Sequence, residues 1–93
     1  MSSKKTGTRE TLIYVVEDDE WYREYLTYTL SLDPDHRVVS FQDAKEFREA
    51  LSECPDIITL DYTLPDGTGD DLLPVILDRC KNAQVIVISE QDK

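Results

Sequence analysis

An α/β fold, a doubly wound parallel sheet, is predicted for this chain by three observations. Short apolar, β-branched runs alternate with stretches of helical periodicity, in the order βαβαβαβ. Those runs are too uniformly apolar to leave one face in water, as expected of strands buried on both sides. Three of them end in acids or a hydroxyl, which fits crossover connections and a shared C-terminal edge where ligands bind.

The first strand is Leu12-Ile13-Tyr14-Val15-Val16, ended abruptly by Glu17-Asp18-Asp19. A helix follows from Glu20, with Trp21, Tyr22, Tyr25, Leu26, Thr29 and Leu30 near i, i+3, i+4 spacing. Asp18 or Asp19 suits its N-cap, and acids there complement the helix dipole. Its aromatic residues are expected to face the sheet. Pro34 disfavours helical geometry at Asp33 and stops the helix. Arg37-Val38-Val39-Ser40-Phe41 reads as the second strand. Ala44, Phe47, Ala50 and Leu51 mark a second helix, capped by Asp43 and closed before Pro55. Ile57-Ile58-Thr59-Leu60-Asp61 is the third strand, and Leu64-Pro65-Asp66-Gly67-Thr68-Gly69 has the composition of a loop. The third helix covers 70–80, where Pro74 implies an early kink or a start near Asp71. Val85-Ile86-Val87-Ile88, ending in Ser89, is the fourth strand.

At 93 residues the chain has room for one small domain, with residues 1–10 reading as a polar, frayed leader and 11–93 as the folded unit. Apolar residues are 40% and charged residues 32%, as in globular chains rather than disordered ones. No apolar run reaches the roughly 20 residues of a membrane span. The leader lacks a signal-peptide core, so a cytoplasmic location is expected. Twenty acidic against ten basic residues give a formal charge of −10. Nucleic-acid binding by this segment is thereby excluded, since phosphate contacts need clustered Lys and Arg. Cys54 and Cys80 form no CxxC motif and have one His in the whole chain for company, which excludes a zinc site. Two reduced thiols are the expectation.

Carboxylates at the ends of parallel strands converge even when about forty residues separate them, by the shared-edge geometry of such sheets. Asp18 and Asp61 would then repel each other unless a hard divalent cation were bound. Mg²⁺ takes one or two carboxylates, a backbone carbonyl from the loop after Asp61, and waters. A strand-end carboxylate beside such an ion is a nucleophile toward phosphorus. Ser89 is placed to donate to a phosphoryl oxygen.

The chain resembles the receiver domain of bacterial two-component response regulators. The resemblance rests on Leu12 to Asp19, on the run from Ile57 to Gly69, and on Val85-Ile86-Val87-Ile88-Ser89, in order and correctly spaced over about residues 11–91. It implies a flavodoxin-like sheet and Asp61 as phosphoacceptor, supplied by a sensor histidine kinase or phosphotransfer protein. Asp18 becomes the direct Mg²⁺ ligand and Glu17 an outer acid acting mainly through water. Thr63 gives its main-chain carbonyl to the metal and its side chain to the pocket mouth. Ser89 is the hydroxyl switch, and Gln91 borders the pocket and tunes phosphate lifetime. Asp19 is read as a cap and Asp66 as solvent-facing.

The family's domain adds a final α-β-α portion, with a lysine that pairs with the phosphate. The chain is therefore read as a partial receiver lacking that portion. The Val85-Ile86-Val87-Ile88 strand becomes an open edge through which the chain self-associates. The alternative is a receiver-like interaction or dimerisation domain that is not phosphorylated. An enzyme of the haloacid-dehalogenase type also uses a strand-end Asp, but needs a second Asp where Thr63 stands. The chain is accordingly read as a regulatory domain rather than an enzyme, with phosphotransfer and dephosphorylation self-catalysed at most.

Overall fold

The computed structural model describes residues 10–89. Four parallel strands form the main sheet: β1 (Thr11–Val16), β2 (His36–Phe41), β3 (Ile57–Asp61) and β6 (Gln84–Ile88), in the order β2-β1-β3-β6. Helices α1 (Glu20–Leu30), α2 (Ala44–Glu49) and α3 (Gly69–Arg79) make the crossovers. The predicted loop after β3 folds back as a two-stranded antiparallel ribbon, β4 (Thr63–Leu64) and β5 (Gly67–Thr68). The expected leader lies almost wholly outside the described residues.

Alternation along the strands divides the core. Leu12, Tyr14 and Val16 of β1 join Phe41, Ile58 and Leu60 on one face, packed against Ala44, Phe47 and Leu51 around α2 and Leu72 and Ile76 of α3. Tyr14 meets Phe41 edge-on at 4.9 Å, and its hydroxyl donates toward the Ala50 carbonyl (2.9 Å), with the Glu53 carbonyl at 3.1 Å. The C-terminal end of α2 is tied to the central strand by that hydroxyl. The other face is covered by α1 over β1 and β2. Cover thins toward the open edge: along the paired row Val15, Thr59, Ile86, exposure rises from 0% through 8% to 54%.

Three expectations need correction. The α1 aromatics do not form a buried stripe. Tyr22, Leu26 and Leu30 are half-buried, whereas Trp21, Tyr25 and Tyr28 are exposed, with Trp21 and Tyr25 stacked at 5.6 Å. Helical spacing allows two adjacent apolar stripes here, and the sheet takes the one at 22, 26 and 30. The cysteines are not free: Cys54, in the loop before β3, and Cys80, at the end of α3, form a disulfide with Cα atoms 5.4 Å apart. Parallel topology returns both segments to the same pole of the sheet, a proximity their separation of 26 residues conceals. Helix α3 starts at Gly69, earlier than either reading allowed, so Pro74 lies within it. The Asp71 carboxylate accepts from the Thr68 main-chain N–H at 3.0 Å, and this fixes the early start. Pro74 is exposed, where its ring meets solvent rather than the core.

Candidate functional site

Register decides which side chains meet at the C-terminal edge. Val16 pairs with Leu60, and Asp61 pairs with Ile88, so Glu17, Asp61 and Ser89 follow or end adjacent strands at one level. The Glu17 amide still donates to the Phe41 carbonyl (3.0 Å), extending the β1–β2 ladder by one bond. Its side chain is buried and accepts from the Asp19 amide at 3.1 Å. Asp19 caps α1 through the Tyr22 amide (3.2 Å), as expected, and this frees Asp18 from capping. Asp61 accepts from the Thr63 amide at 3.2 Å.

One oxygen each of Glu17, Asp18 and Asp61 lies within 4.8 Å of the others. A pocket of about 390 Å³, lined by these three with Asp19 and Thr63, opens above them. Burial pushes the Glu17 carboxyl up to about 7, with the Asp61 and Asp18 charges adding to it. Burial likewise raises Asp61, and Asp18 reinforces the rise. Burial and the neighbouring acids thus both disfavour full ionisation of these carboxyls.

Two supporting groups escaped the sequence reading. Arg23, one turn into α1, donates to the main-chain carbonyls of Glu17 (2.9 Å) and Asp18 (3.4 Å), bracing the acidic turn from behind. A lone cation within the first turns of a helix that follows three acids was the available signal. Tyr62 bonds the Asp70 carboxylate through its hydroxyl (2.9 Å) and accepts from the Gly69 amide at its carbonyl (2.7 Å). A Cβ at Gly69 would lie 3.4 Å from the Tyr62 ring and 3.5 Å from its Cα, so the start of α3 packs in close contact with Tyr62. Asp66 is exposed as expected, yet both its oxygens are engaged by α2 amides. Gln91 lies outside the described residues.

The sequence profile of the response regulator receiver domain matches residues 13–93. The chain belongs to that family. It is 35% identical over 82 residues to a protein-glutamate methylesterase/protein-glutamine glutaminase of Nitrosospira multiformis, covering 86% of this chain and 23% of that protein. The receiver domain of HemR from Leptospira biflexa superposes with a TM-score of 0.81 at 30% identity, over 90% of this chain and 68% of that one. The response regulator domain of Thermotoga maritima CheB gives 0.77 at 32% identity, over 88% and 62%. The chain is thus similar to a receiver portion of longer proteins, and it is a phosphoacceptor signalling domain by family.

Receiver domains bind Mg²⁺ at an acidic pocket, and the donors here suit that ion. All three are hard carboxylate oxygens gathered within 4.8 Å of one another, a donor set of the kind Mg²⁺ takes. The close approach of the three acids is what a bound cation would relieve.

Proposed function

We propose that Asp61 is the phosphoacceptor of a two-component relay and that Glu17, Asp18, Asp61 and the main-chain carbonyl of Thr63 hold Mg²⁺. The observation that carries this reading is the convergence of three carboxylate oxygens within 4.8 Å at the mouth of an open pocket. Asp18 and Asp61 bind the ion directly, and the buried Glu17 acts mainly through water. When bound, the ion neutralises charge on the transferring phosphoryl group.

A free Asp61 oxygen attacks phosphorus on a sensor kinase's phosphohistidine, or on a phosphotransfer protein's. The phosphorus–nitrogen bond breaks as the new phosphorus–oxygen bond forms, and the imidazole keeps the electron pair and takes up a proton. The Thr63 amide, 3.2 Å from an Asp61 oxygen, keeps that carboxylate oriented. Ser89, next after the residue paired with Asp61, donates its hydroxyl to a phosphoryl oxygen and carries its loop with it. Gln91 tunes the lifetime of the phosphorylated state.

On this reading residues 11–93 are a receiver unit with 1–10 as leader, and the chain is regulatory rather than enzymatic in its own right. Self-association runs through β6, an edge of the described sheet that leaves Ile86 and Val87 exposed. We assign the relay to the cytoplasm; no helix among the described residues is long and apolar enough to cross a membrane. In that compartment the Cys54–Cys80 pair meets reducing thiols.

Incubation with Mg²⁺ and acetyl phosphate tests the assignment by intact mass. A gain of one phosphoryl group that needs Mg²⁺ and disappears in Asp61→Asn supports it. A folded, Mg²⁺-supplied sample without that gain refutes it.

A further inference from the structure

Asp66 sits at the tip of the β4–β5 ribbon, between Pro65 and Gly67. Its two carboxylate oxygens accept from the Ala44 amide at 2.8 Å and the Lys45 amide at 3.0 Å, the first two amides of α2. These bonds hold its carboxyl below the usual range, the Ala44 amide contributing most. Yet α2 already has a cap of its own: Asp43 takes the Glu46 amide at 2.9 Å. That cap serves the third amide of α2 and Asp66 the first two, so the strap steadies the helix start as well as the ribbon.

The ribbon is the partner in greater need. It has two residues per strand, pairing Thr63 with Thr68 and Leu64 with Gly67, and so short a ribbon is marginal by itself. Beside the turn, Leu64 is buried in the core. At its tip, Asp66 reaches across to α2, and Gly67 comes close enough that a Cβ there would lie 4.0 Å from that of Ala44. Thr63, the residue whose carbonyl is assigned to the metal, lies on this ribbon two residues after Asp61.

We propose that Asp66 is a positioning residue for the acidic pocket: its carboxylate straps the ribbon to α2 and so fixes the main chain of Thr63 beside Asp61. The proposal rests on the assignment of the Thr63 carbonyl made above. Without the strap, the ribbon samples more conformations, and a metal ion must order it on binding, which costs affinity. Groups that orient ligands from behind typically contribute about tenfold or more to metal affinity.

The test compares Mg²⁺ titrations by calorimetry for the wild-type chain, Asp66→Ala, Asp66→Asn and Asp43→Ala, with hydrogen exchange at the Thr63 amide in metal-free samples. Asp66→Ala is expected to weaken Mg²⁺ about tenfold and to speed exchange at Thr63. Asp66→Asn, which keeps one acceptor oxygen and the same shape, should fall between, and it carries the test if the alanine variant does not fold. Asp43→Ala removes the cap of α2 without touching the ribbon and should leave both readings near wild type. The proposal is overturned if Asp66 variants bind Mg²⁺ like wild type, or if Asp43→Ala weakens binding as much, since α2 stability alone would then explain the effect. A wild-type chain that binds no Mg²⁺ would instead sink the metal assignment itself.

Discussion

Replacing Asp61 by Asn should stabilise the metal-free protein while abolishing most of its response to Mg²⁺. Three carboxylate oxygens lie within 4.8 Å of one another. Two unit charges at that separation repel by about 0.9 kcal/mol in water-like surroundings and about 3.5 kcal/mol at an effective dielectric constant near 20. The rise of Glu17 from 4.5 to about 7 sets an independent scale. It corresponds to about 3 kcal/mol between the two protonation states of that carboxyl. Burial is the largest cause and survives the substitution; the Asp61 charge is a lesser one. Removing it should return about 1 kcal/mol, or about 4–8 °C in melting temperature for a domain of this size. The sign with pH follows from linkage. The folded pKa of Glu17 exceeds the unfolded one, so its favourable contribution is full below about 4.5 and is lost as pH rises through about 7. The advantage of Asp61→Asn is thus greatest near pH 8, and it shrinks toward pH 5, where Glu17 is mostly protonated and only the Asp18 charge still faces Asp61. Thermal melts followed by circular dichroism, in chelator and in excess Mg²⁺ at both pH values, read this directly. A variant that melts at or below wild type in chelator at the higher pH would refute the reasoning. So would equal stabilisation of both proteins by Mg²⁺.

Reduction of the Cys54–Cys80 bridge should lower stability by about 3–4 kcal/mol on the chain-entropy account for a loop of this length, measured as a shifted denaturant midpoint with and without a dithiol. Alkylation of both thiols in unreduced, unfolded protein would contradict the pairing. Tyr14→Phe should cost about 1 kcal/mol in the same assay, because the Ala50 carbonyl loses its donor at the end of α2. Trp21→Ala should change stability by no more than about 0.5 kcal/mol, since the ring is 72% exposed. A loss of several kcal/mol there would restore the view that it packs in the core.

What the sequence disclosed and what it hid divide along physical lines. Strand positions were legible because burial on both faces demands nearly continuous apolar runs, as in 12–16 and, broken only at Thr59, in 57–60. The meeting of Asp18 with Asp61 was legible because parallel strands share an edge, whatever their separation in sequence. The caps at Asp19 and Asp43 were legible because capping is local. The α1 aromatics were misread because periodicity gives the angle between stripes but not which stripe the sheet takes. The disulfide and the Asp66 strap both depend on where distant loops return, 26 and about 22 residues along, and no local pattern reports that. The β4–β5 ribbon shows only a loop's composition in the sequence, because two-residue strands leave no period to detect.

Calorimetric titration of Mg²⁺ near pH 7, repeated in buffers of different ionisation enthalpy, is the most direct check on the acidic pocket. Single-site binding should release protons, because the Glu17 and Asp61 carboxyls are raised in the metal-free pocket and a bound cation favours their charged forms. Binding should be lost in Asp18→Asn. An absence of saturable heat, or binding whose heat ignores the buffer and survives Asp18→Asn, would contradict the account.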